Sequence, residues 1–171
     1  MDKSILLVVA SEGFQQQEYE ETKKVLEAAG MSVEIASDKA GVAVSHTGQE
    51  IAVTTVLDAV HALAYAGVFF IGGPGALNHL DTQESNRILN EAMIGQIPYG
   101  AICIAPRILA KAHVLVGKHA TGWDGDGQLA QIFAENNVLY RQEPVVVDEN
   151  CISANGPAAA EAFGEAIVAA V

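Results

Sequence analysis

The 171-residue sequence has few cysteines, few basic residues and no long apolar run. Its two cysteines, Cys103 and Cys151, are too few for a disulfide framework, so we expect a reduced, cytoplasmic protein. Nine basic against 21 acidic residues give a net charge of −12, which argues against a nucleic-acid partner because phosphate contacts dominate such binding. No apolar stretch reaches the roughly 20 residues of a membrane span, so no membrane partner is expected either.

Apolar residues, by contrast, are abundant: they make up 50% of the chain, and charged residues only 18%. A chain of this length and composition is expected to bury one core, so we predict a single domain over residues 1–171. The apolar run at residues 5–10 predicts a first core strand rather than a signal peptide, since it is followed by Ser-Glu-Gly without a cleavage pattern.

Apolar strand-like segments alternate with helical patterns along the whole chain, which predicts an α/β fold with a mainly parallel sheet and helices on both faces. Strands are predicted at residues 5–10, 33–36, 67–71, 99–103 and 119–121, and hairpins at 42–53 and 145–153. Helices are predicted at residues 15–29, 56–64, 81–96, 106–113, 128–135 and 158–171. Ligands of such sheets bind beyond the carboxyl ends of the strands.

Cys103 lies at one of these strand ends, directly before a predicted helix that begins at Pro106. A cysteine in a strand–turn–helix context resembles the nucleophile of an elbow, although the G-x-S-x-G motif is absent. The N–H groups and the dipole of the following helix are expected to lower the pKa of the thiol. Burial of a structural cysteine is the alternative, and packing is the expected role of Cys151.

Two further strand ends carry candidate partners for Cys103. Glu18 lies in the first turns of the helix after strand one, where it either interacts with the helix dipole or enters the pocket as a proton donor. Gly72 and Gly73 open a glycine-rich turn that either forms a tight connection or offers backbone N–H groups to an oxyanion. Neither G-x-G-x-x-G nor a P-loop lysine is present, so no phosphate-bearing cofactor is expected.

No metal site is predicted. The histidines show no metal-ligand spacing, and Asp124 and Asp126 lack the rest of a calcium-binding loop, so they are interpreted as a turn before a helix.

Several segments in this order resemble the ThiJ/PfpI superfamily. They are Gly13-Phe14 with Glu18, residues 70–76 (FIGGPGA), 101–106 (AICIAP), 117–121 (GKHAT) and 153–157 (SANGP). The resemblance covers essentially the whole chain. It implies a flavodoxin-like three-layer sandwich, usually homodimeric, and a nucleophilic Cys103 with a carboxyl partner at Glu18. It also suggests that Gly72, Gly73 and the N–H of Ile104 form an oxyanion-type pocket, and that the elbow residue is strained.

The sequence departs from relatives of this kind in its histidines. PfpI-type peptidases carry histidine directly after the cysteine, where this chain has Ile104. Deglycase-like members have a histidine in the loop where spacing places Gly122, which leaves His119 on the preceding strand as a possible auxiliary residue. Without a Cys–His pair, a peptidase lacks its general base.

Three functions follow as hypotheses. The first is an enzyme that acts on small reactive carbonyls, of the glyoxalase or deglycase type, with Cys103 as nucleophile and Glu18 moving protons. The second is a non-enzymatic redox-sensing or chaperone-like stress protein with an oxidisable Cys103. The third is a cysteine hydrolase, which Ile104 disfavours. A small-molecule substrate and no cofactor are expected.

Overall fold

The computed structural model of the chain describes residues 3–171 and contains twelve strands and six α-helices in that range. The strands are β1 (Ile5–Val8), β2 (Glu12–Phe14), β3 (Val33–Ser37), β4 (Val42–Ser45), β5 (Glu50–Ala52), β6 (Thr55–Val56), β7 (Gly67–Phe70), β8 (Tyr99–Ile102), β9 (His119–Ala120), β10 (Leu139–Tyr140), β11 (Val145–Asp148) and β12 (Cys151–Ala154). The helices are α1 (Gln16–Ala28), α2 (Ala76–Leu80), α3 (Gln83–Ile94), α4 (Pro106–Lys111), α5 (Leu129–Glu135) and α6 (Ala160–Ala170).

Seven strands form the central sheet in the order β11-β12-β8-β7-β1-β3-β6. All neighbours are parallel except β11, which pairs antiparallel with β12. The strands β3-β1-β7-β8-β12 have the order 2-1-3-4-5 of a flavodoxin-like fold, as the sequence predicts. The parallel arrangement brings the carboxyl ends of β1, β7 and β8 to one edge of the sheet.

Both faces of the sheet are covered by helices, which explains why β1 is apolar at every position. Leu6 and Val8 belong to a core with residues of α3, α4 and α5. Leu7 and Val9 belong to a second core with residues of α1 and α6. A strand buried on both faces has no solvent side to select polar residues, so its sequence is a continuous apolar run.

The structure corrects two of the predicted helices. Residues 56–64 are not one helix: they contain the end of β6 and two 3₁₀ turns, Leu57–Ala59 and Ala62–Ala64. The helix predicted at residues 81–96 begins at Gln83 and ends at Ile94, because Thr82 is the N-cap and accepts the N–H of Ser85 at 3.2 Å. β-Branched residues weaken the helical pattern at 56–64, and pairing of Thr55 and Val56 with β3 keeps the start of this segment extended.

Two short strands, β2 and β10, are not predicted from the apolar pattern. β2 pairs with β4 of the predicted hairpin, and β10 pairs with β9, which lies within the strand predicted at residues 119–121. β2 has three residues and β10 has two, too few to show a period in the sequence. A membrane-crossing helix is not found within residues 3–171.

Candidate functional site

Cys103 follows β8 directly and adopts a left-handed backbone conformation with φ of 64°. This conformation costs a non-glycine residue roughly 1–2 kcal/mol, so the surrounding structure must impose it. The N–H of Cys103 donates to the carbonyl oxygen of Ala154 at 2.9 Å, and its own carbonyl oxygen accepts the N–H of Trp123 at 2.6 Å. Two separate chain segments therefore hold the strained elbow that the resemblance implies.

Glu18 is fully buried in the first turn of α1. The side chain of Gln15 caps the helix by accepting the N–H of Glu18 at 2.6 Å. The carboxyl oxygen Oε2 of Glu18 accepts the N–H of Gly72 at 2.9 Å. The other oxygen, Oε1, is buried and has no partner of normal hydrogen-bond geometry among residues 3–171, although the carboxyl group interacts with the Cys103 thiol. The structure therefore brings Glu18 and Cys103 together.

Burial dominates the electrostatics of this pair. It raises the pKa of Glu18 from 4.5 to about 7, and the interactions with Cys103 and the Gly72 N–H offset only part of the rise. Burial, followed by the charge of Glu18, also raises the pKa of the Cys103 thiol well above its usual range. The N–H groups of Ile104 and Gly73 act in the opposite direction, because they stabilise the thiolate. The expectation of a lowered thiol pKa is thus wrong in its net direction, since the adjacent buried carboxylate and the low dielectric outweigh the backbone donors.

The turn after β7, which begins with Gly72 and Gly73, packs against Cys103 and Glu18. The N–H groups of Gly73 and Ile104 face the sulfur and have no backbone acceptor among residues 3–171. The N–H of Gly72 is already bonded to Glu18, so it orients the carboxyl group and is not free for an oxyanion. A side chain at Gly73, whose φ is 120°, would place its Cβ 2.4 Å from the nitrogen of Gln15. Only glycine allows the turn to approach α1 this closely.

The Gly72→Ala variant is expected to lose about 1–3 kcal/mol of stability, because no flexible group can move aside to accept the methyl. The new Cβ would lie 2.7 Å from Cβ of Cys103, 2.8 Å from the carbonyl oxygen of Ile102 and 2.9 Å from Oε2 of Glu18. Chemical denaturation measures the loss. Gly156→Ala, whose Cβ meets nothing within 4 Å, is the comparison variant. Equal stability of Gly72→Ala and the wild type would contradict the tight packing.

Beside the thiol lies a cavity of about 260 Å³ lined by six residues: Gln15, Gly73, Pro74, Cys103, Ile104 and Trp123. None carries a charge, and Ile104 contributes an apolar wall at the position of the peptidase-type histidine. Sequence reasoning misses Gln15 and Trp123. Trp123 could have been found from the sequence, because it directly follows Gly122, the position that the family spacing already places in the loop near the site.

The structure does not bring His119 to the thiol. The ring Nδ1 of His119 lies 3.1 Å from Asp148, whose carboxylate also accepts the His119 backbone N–H at 2.7 Å. Gly122 does lie at the elbow: a Cβ there would be 3.1 Å from the Cys103 carbonyl oxygen. No cluster of potential metal ligands occurs within the described part of the chain. Cys151 is buried in β12, as expected of a packing residue.

The loop after β9 is ordered by its two aspartates. Asp124 accepts the N–H of Leu129 at 2.9 Å, and Asp126 forms a bidentate ion pair with Arg107 at 2.9 and 2.7 Å. The interpretation of these aspartates as part of a turn before a helix is therefore confirmed, and their carboxylates are used inside the fold.

A flavodoxin-like sandwich with a strained cysteine after β8 and a buried glutamate beside it is the arrangement that the resemblance to the ThiJ/PfpI superfamily implies. The chain belongs to the DJ-1/PfpI family, whose model matches residues 3–170.

Relatives from distant organisms are similar over nearly the whole chain. Protein dj-1beta of Drosophila melanogaster is 32% identical over 95% of this chain and 86% of that protein. Uncharacterized protein MJ0967 of Methanocaldococcus jannaschii is 29% identical over 98% of this chain and 82% of that protein. The crystal structure of a ThiJ/PfpI domain protein from Brachyspira murdochii has a TM-score of 0.93 at 27% identity and covers 99% of this chain and 96% of its own. The similarity therefore extends across the sheet, both helix layers and the elbow.

Proposed function

We propose that this protein is a cysteine-dependent enzyme that acts on small reactive carbonyls, of the glyoxalase or deglycase type. Cys103 is the nucleophile and Glu18 is its proton partner. The observation that carries the proposal is the placement of the buried Glu18 carboxyl group and Cys103 against the same face of Gly72, beside the cavity that Cys103 lines. Burial at this place raises the pKa of Glu18 to about 7. A group that exchanges its proton near neutral pH is suited to both general acid and general base steps.

The proposed reaction begins when the thiol adds to the aldehyde of an α-oxoaldehyde such as methylglyoxal. The Glu18 carboxylate takes the S–H proton, the sulfur bonds to the aldehyde carbon, and the carbonyl oxygen receives the proton to give a hemithioacetal. The N–H groups of Gly73 and Ile104, which face the sulfur, are placed to stabilise the oxygen while it is negative.

A second proton movement completes the chemistry. Glu18 removes the hydrogen of the former aldehyde carbon and the neighbouring ketone carbon gains a proton, so the first carbon is oxidised to a thioester while the second is reduced to an alcohol. Water then hydrolyses the thioester and regenerates the thiol. The sum is methylglyoxal plus water giving lactate and a proton, which needs no external oxidant or cofactor.

The alternatives use parts of the same geometry. A redox sensor would use the same Cys103 and Glu18, and the raised pKa of the thiol slows its oxidation as it slows its addition to an aldehyde, so the turnover assay distinguishes the two functions. A peptidase-like hydrolase needs a general base such as histidine, and the six cavity-lining residues include none.

Purified protein is expected to convert methylglyoxal to lactate. NMR spectroscopy measures the concentrations of both compounds over time. The control is the same preparation after heat inactivation, which measures conversion by buffer and surface amines. A wild-type rate equal to that of the heat-inactivated sample would refute the proposal.

The pH profile tests the role of Glu18 separately. If the ionised carboxylate accepts the thiol proton, kcat/KM rises roughly tenfold per pH unit below the Glu18 pKa of about 7 and levels off above it. Initial rates between pH 5.5 and 8.5 measure this. A profile that is flat, or that falls through pH 7, would contradict the assignment of Glu18 as base.

A further inference from the structure

Trp123 is the single tryptophan of the chain, and it stands beside the nucleophile. Its backbone N–H donates to the Cys103 carbonyl oxygen at 2.6 Å, so its main chain is fixed to the elbow itself. Its side chain lines the cavity and remains 37% exposed. A large aromatic ring is thus presented to the space in which a molecule bound to the Cys103 sulfur would lie.

The indole is held by contacts that leave it little freedom. The guanidinium carbon of Arg107 lies 5.5 Å from the ring centroid, and Nη2 of Arg107 donates to the Trp123 carbonyl oxygen at 3.2 Å. The ring also packs directly against Gly125: a Cβ on that residue would lie 2.4 Å from Cζ2 and 2.6 Å from Cε2 of the indole. Any side chain at position 125 would therefore displace the ring.

The ion pair beside the ring orders the loop that carries it. Arg107 is 4% exposed, its guanidinium is bound to Asp126 through two hydrogen bonds, and its Nε is buried without a partner among residues 3–171. Asp126 is exposed to solvent, and the hydrogen bonds from Arg107 lower its pKa to about 2, so the pair favours the folded loop. The same guanidinium lies against the indole, so the contact that orders the loop also fixes the position of the ring.

We propose that Trp123 is the specificity residue of the cavity and selects carbonyl compounds with a planar, apolar substituent, such as aryl α-oxoaldehydes. Arg107, Asp126 and Gly125 are positioning residues that fix the indole in advance, so little side-chain freedom is lost on binding. The substituent stacks on the indole while the aldehyde carbon meets the sulfur. The absence of charge among the six lining residues disfavours anionic oxoacids. This inference rests on the proposed function.

The reaction of such a substrate balances in the same way as that of methylglyoxal. Phenylglyoxal plus water gives mandelate and a proton, with the aldehyde carbon oxidised and the ketone carbon reduced. The phenyl ring takes no part in bond changes, so its contact with Trp123 affects binding of the substrate more than the chemical steps.

A comparison of phenylglyoxal and methylglyoxal kinetics tests the inference. Trp123→Ala is expected to raise KM for phenylglyoxal about tenfold and to change KM for methylglyoxal less than about twofold. Trp123→Phe, which keeps an aromatic plane, should restore most of the loss. Gly125→Ala, which displaces the ring without removing it, should follow Trp123→Ala in KM while kcat stays near the wild-type value. Equal losses on both substrates in Trp123→Ala would overturn the inference.

Binding of a compound that cannot be converted separates this inference from the proposed function. Acetophenone has the aryl ketone without the aldehyde, and the fluorescence of the single tryptophan reports its binding directly. Saturable quenching in the wild type, weakened about tenfold in Gly125→Ala, supports the inference even if neither oxoaldehyde is turned over. Absence of saturable quenching overturns it even if methylglyoxal is converted. Circular dichroism of each variant confirms that it is folded.

Discussion

The Glu18→Gln variant is expected to unfold at a higher temperature than the wild type above pH 7 and to lose most of its turnover. The pKa of Glu18 is about 7 in the folded protein and 4.5 in its ordinary state, so the folded chain binds the proton more tightly. This stabilisation is fully present below about pH 4.5 and is lost as the pH rises through 7. Glutamine imitates the protonated acid and carries no charge to bury.

The size of the effect follows from the same pKa values. The difference between the ordinary pKa of 4.5 and the folded-state pKa of about 7 means that the ionised carboxylate lowers the free energy of unfolding by up to about 3 kcal/mol. At pH 8 the variant should therefore gain about that amount of unfolding free energy. The gain should shrink to about 1 kcal/mol at pH 5, where the unfolded chain is itself partly protonated. For a chain of this length, about 3 kcal/mol corresponds to roughly 6–12 °C in Tm at pH 8.

Two chemical measurements accompany the stability change. Turnover of the carbonyl substrate should fall roughly 10²–10⁴-fold, because an amide cannot accept the thiol proton. Alkylation of Cys103 by iodoacetamide at pH 8 should become faster, because the neighbouring negative charge that raises the pKa of the thiol is gone. A variant that is more stable and has a more reactive thiol, yet turns over less, identifies the proton transfer itself as the lost step.

Glu20→Gln is the matched control, because Glu20 lies on the same helix and is exposed to solvent. It should change stability by less than about 0.5 kcal/mol and leave turnover unchanged. A Glu18→Gln variant that is less stable than the wild type at pH 8 would show that the carboxylate is stabilising where it is buried, which would contradict the raised pKa.

Replacing Cys103 with serine is expected to lower kcat/KM by at least about 10³-fold. Burial and the charge of Glu18 raise the pKa of any acidic group at this position, and a hydroxyl starts from a far higher value than a thiol, so it gives its proton to Glu18 much less readily. The serine variant should remain folded, because the two side chains are nearly the same size, and its thermal unfolding would show this. Initial rates with methylglyoxal measure the loss.

Cys151→Ala provides the comparison for the second thiol of the chain. Cys151 pairs with Tyr99 at the start of β8, whereas Cys103 follows the end of that strand, so the two are separated by the length of the strand. The Cys151 variant should keep the wild-type rate within about twofold. If Cys151→Ala lost turnover while Cys103→Ser kept it, the chemistry would belong to Cys151, and the proposed site would be refuted.

The sequence predicts the parts of this molecule that depend on long apolar runs. Residues 5–10 and 67–71 are apolar on both faces, which is sufficient to place them as parallel strands between two helix layers. The position of Cys103 beyond β8 and its contact with Glu18 agree with the resemblance to known proteins. The left-handed conformation of Cys103 is likewise the one that the resemblance implies.

What the sequence does not predict depends on distances between elements. Burial of the sulfur, followed by the charge of Glu18 that α1 places beside it, raises the pKa of Cys103, and no local pattern predicts either effect. The fate of the Gly72 N–H, which bonds to Glu18 rather than facing the cavity, has the same origin. For His119 the sequence predicts a contact that the structure does not have. Its position near Gly122 in the sequence indicates an auxiliary role at the site, but its side chain contacts Asp148 instead.

The left-handed backbone at Cys103 also limits which residues can replace this cysteine. At a φ of 64°, a residue with a branched β-carbon is strongly disfavoured, whereas unbranched residues tolerate the strain that Ala154 and Trp123 impose through their backbone hydrogen bonds. Serine therefore fits the elbow, but threonine does not. An exchange of sulfur for oxygen is open to this fold only through a primary alcohol, so the range of chemistries accessible by mutation at position 103 is set by the main chain.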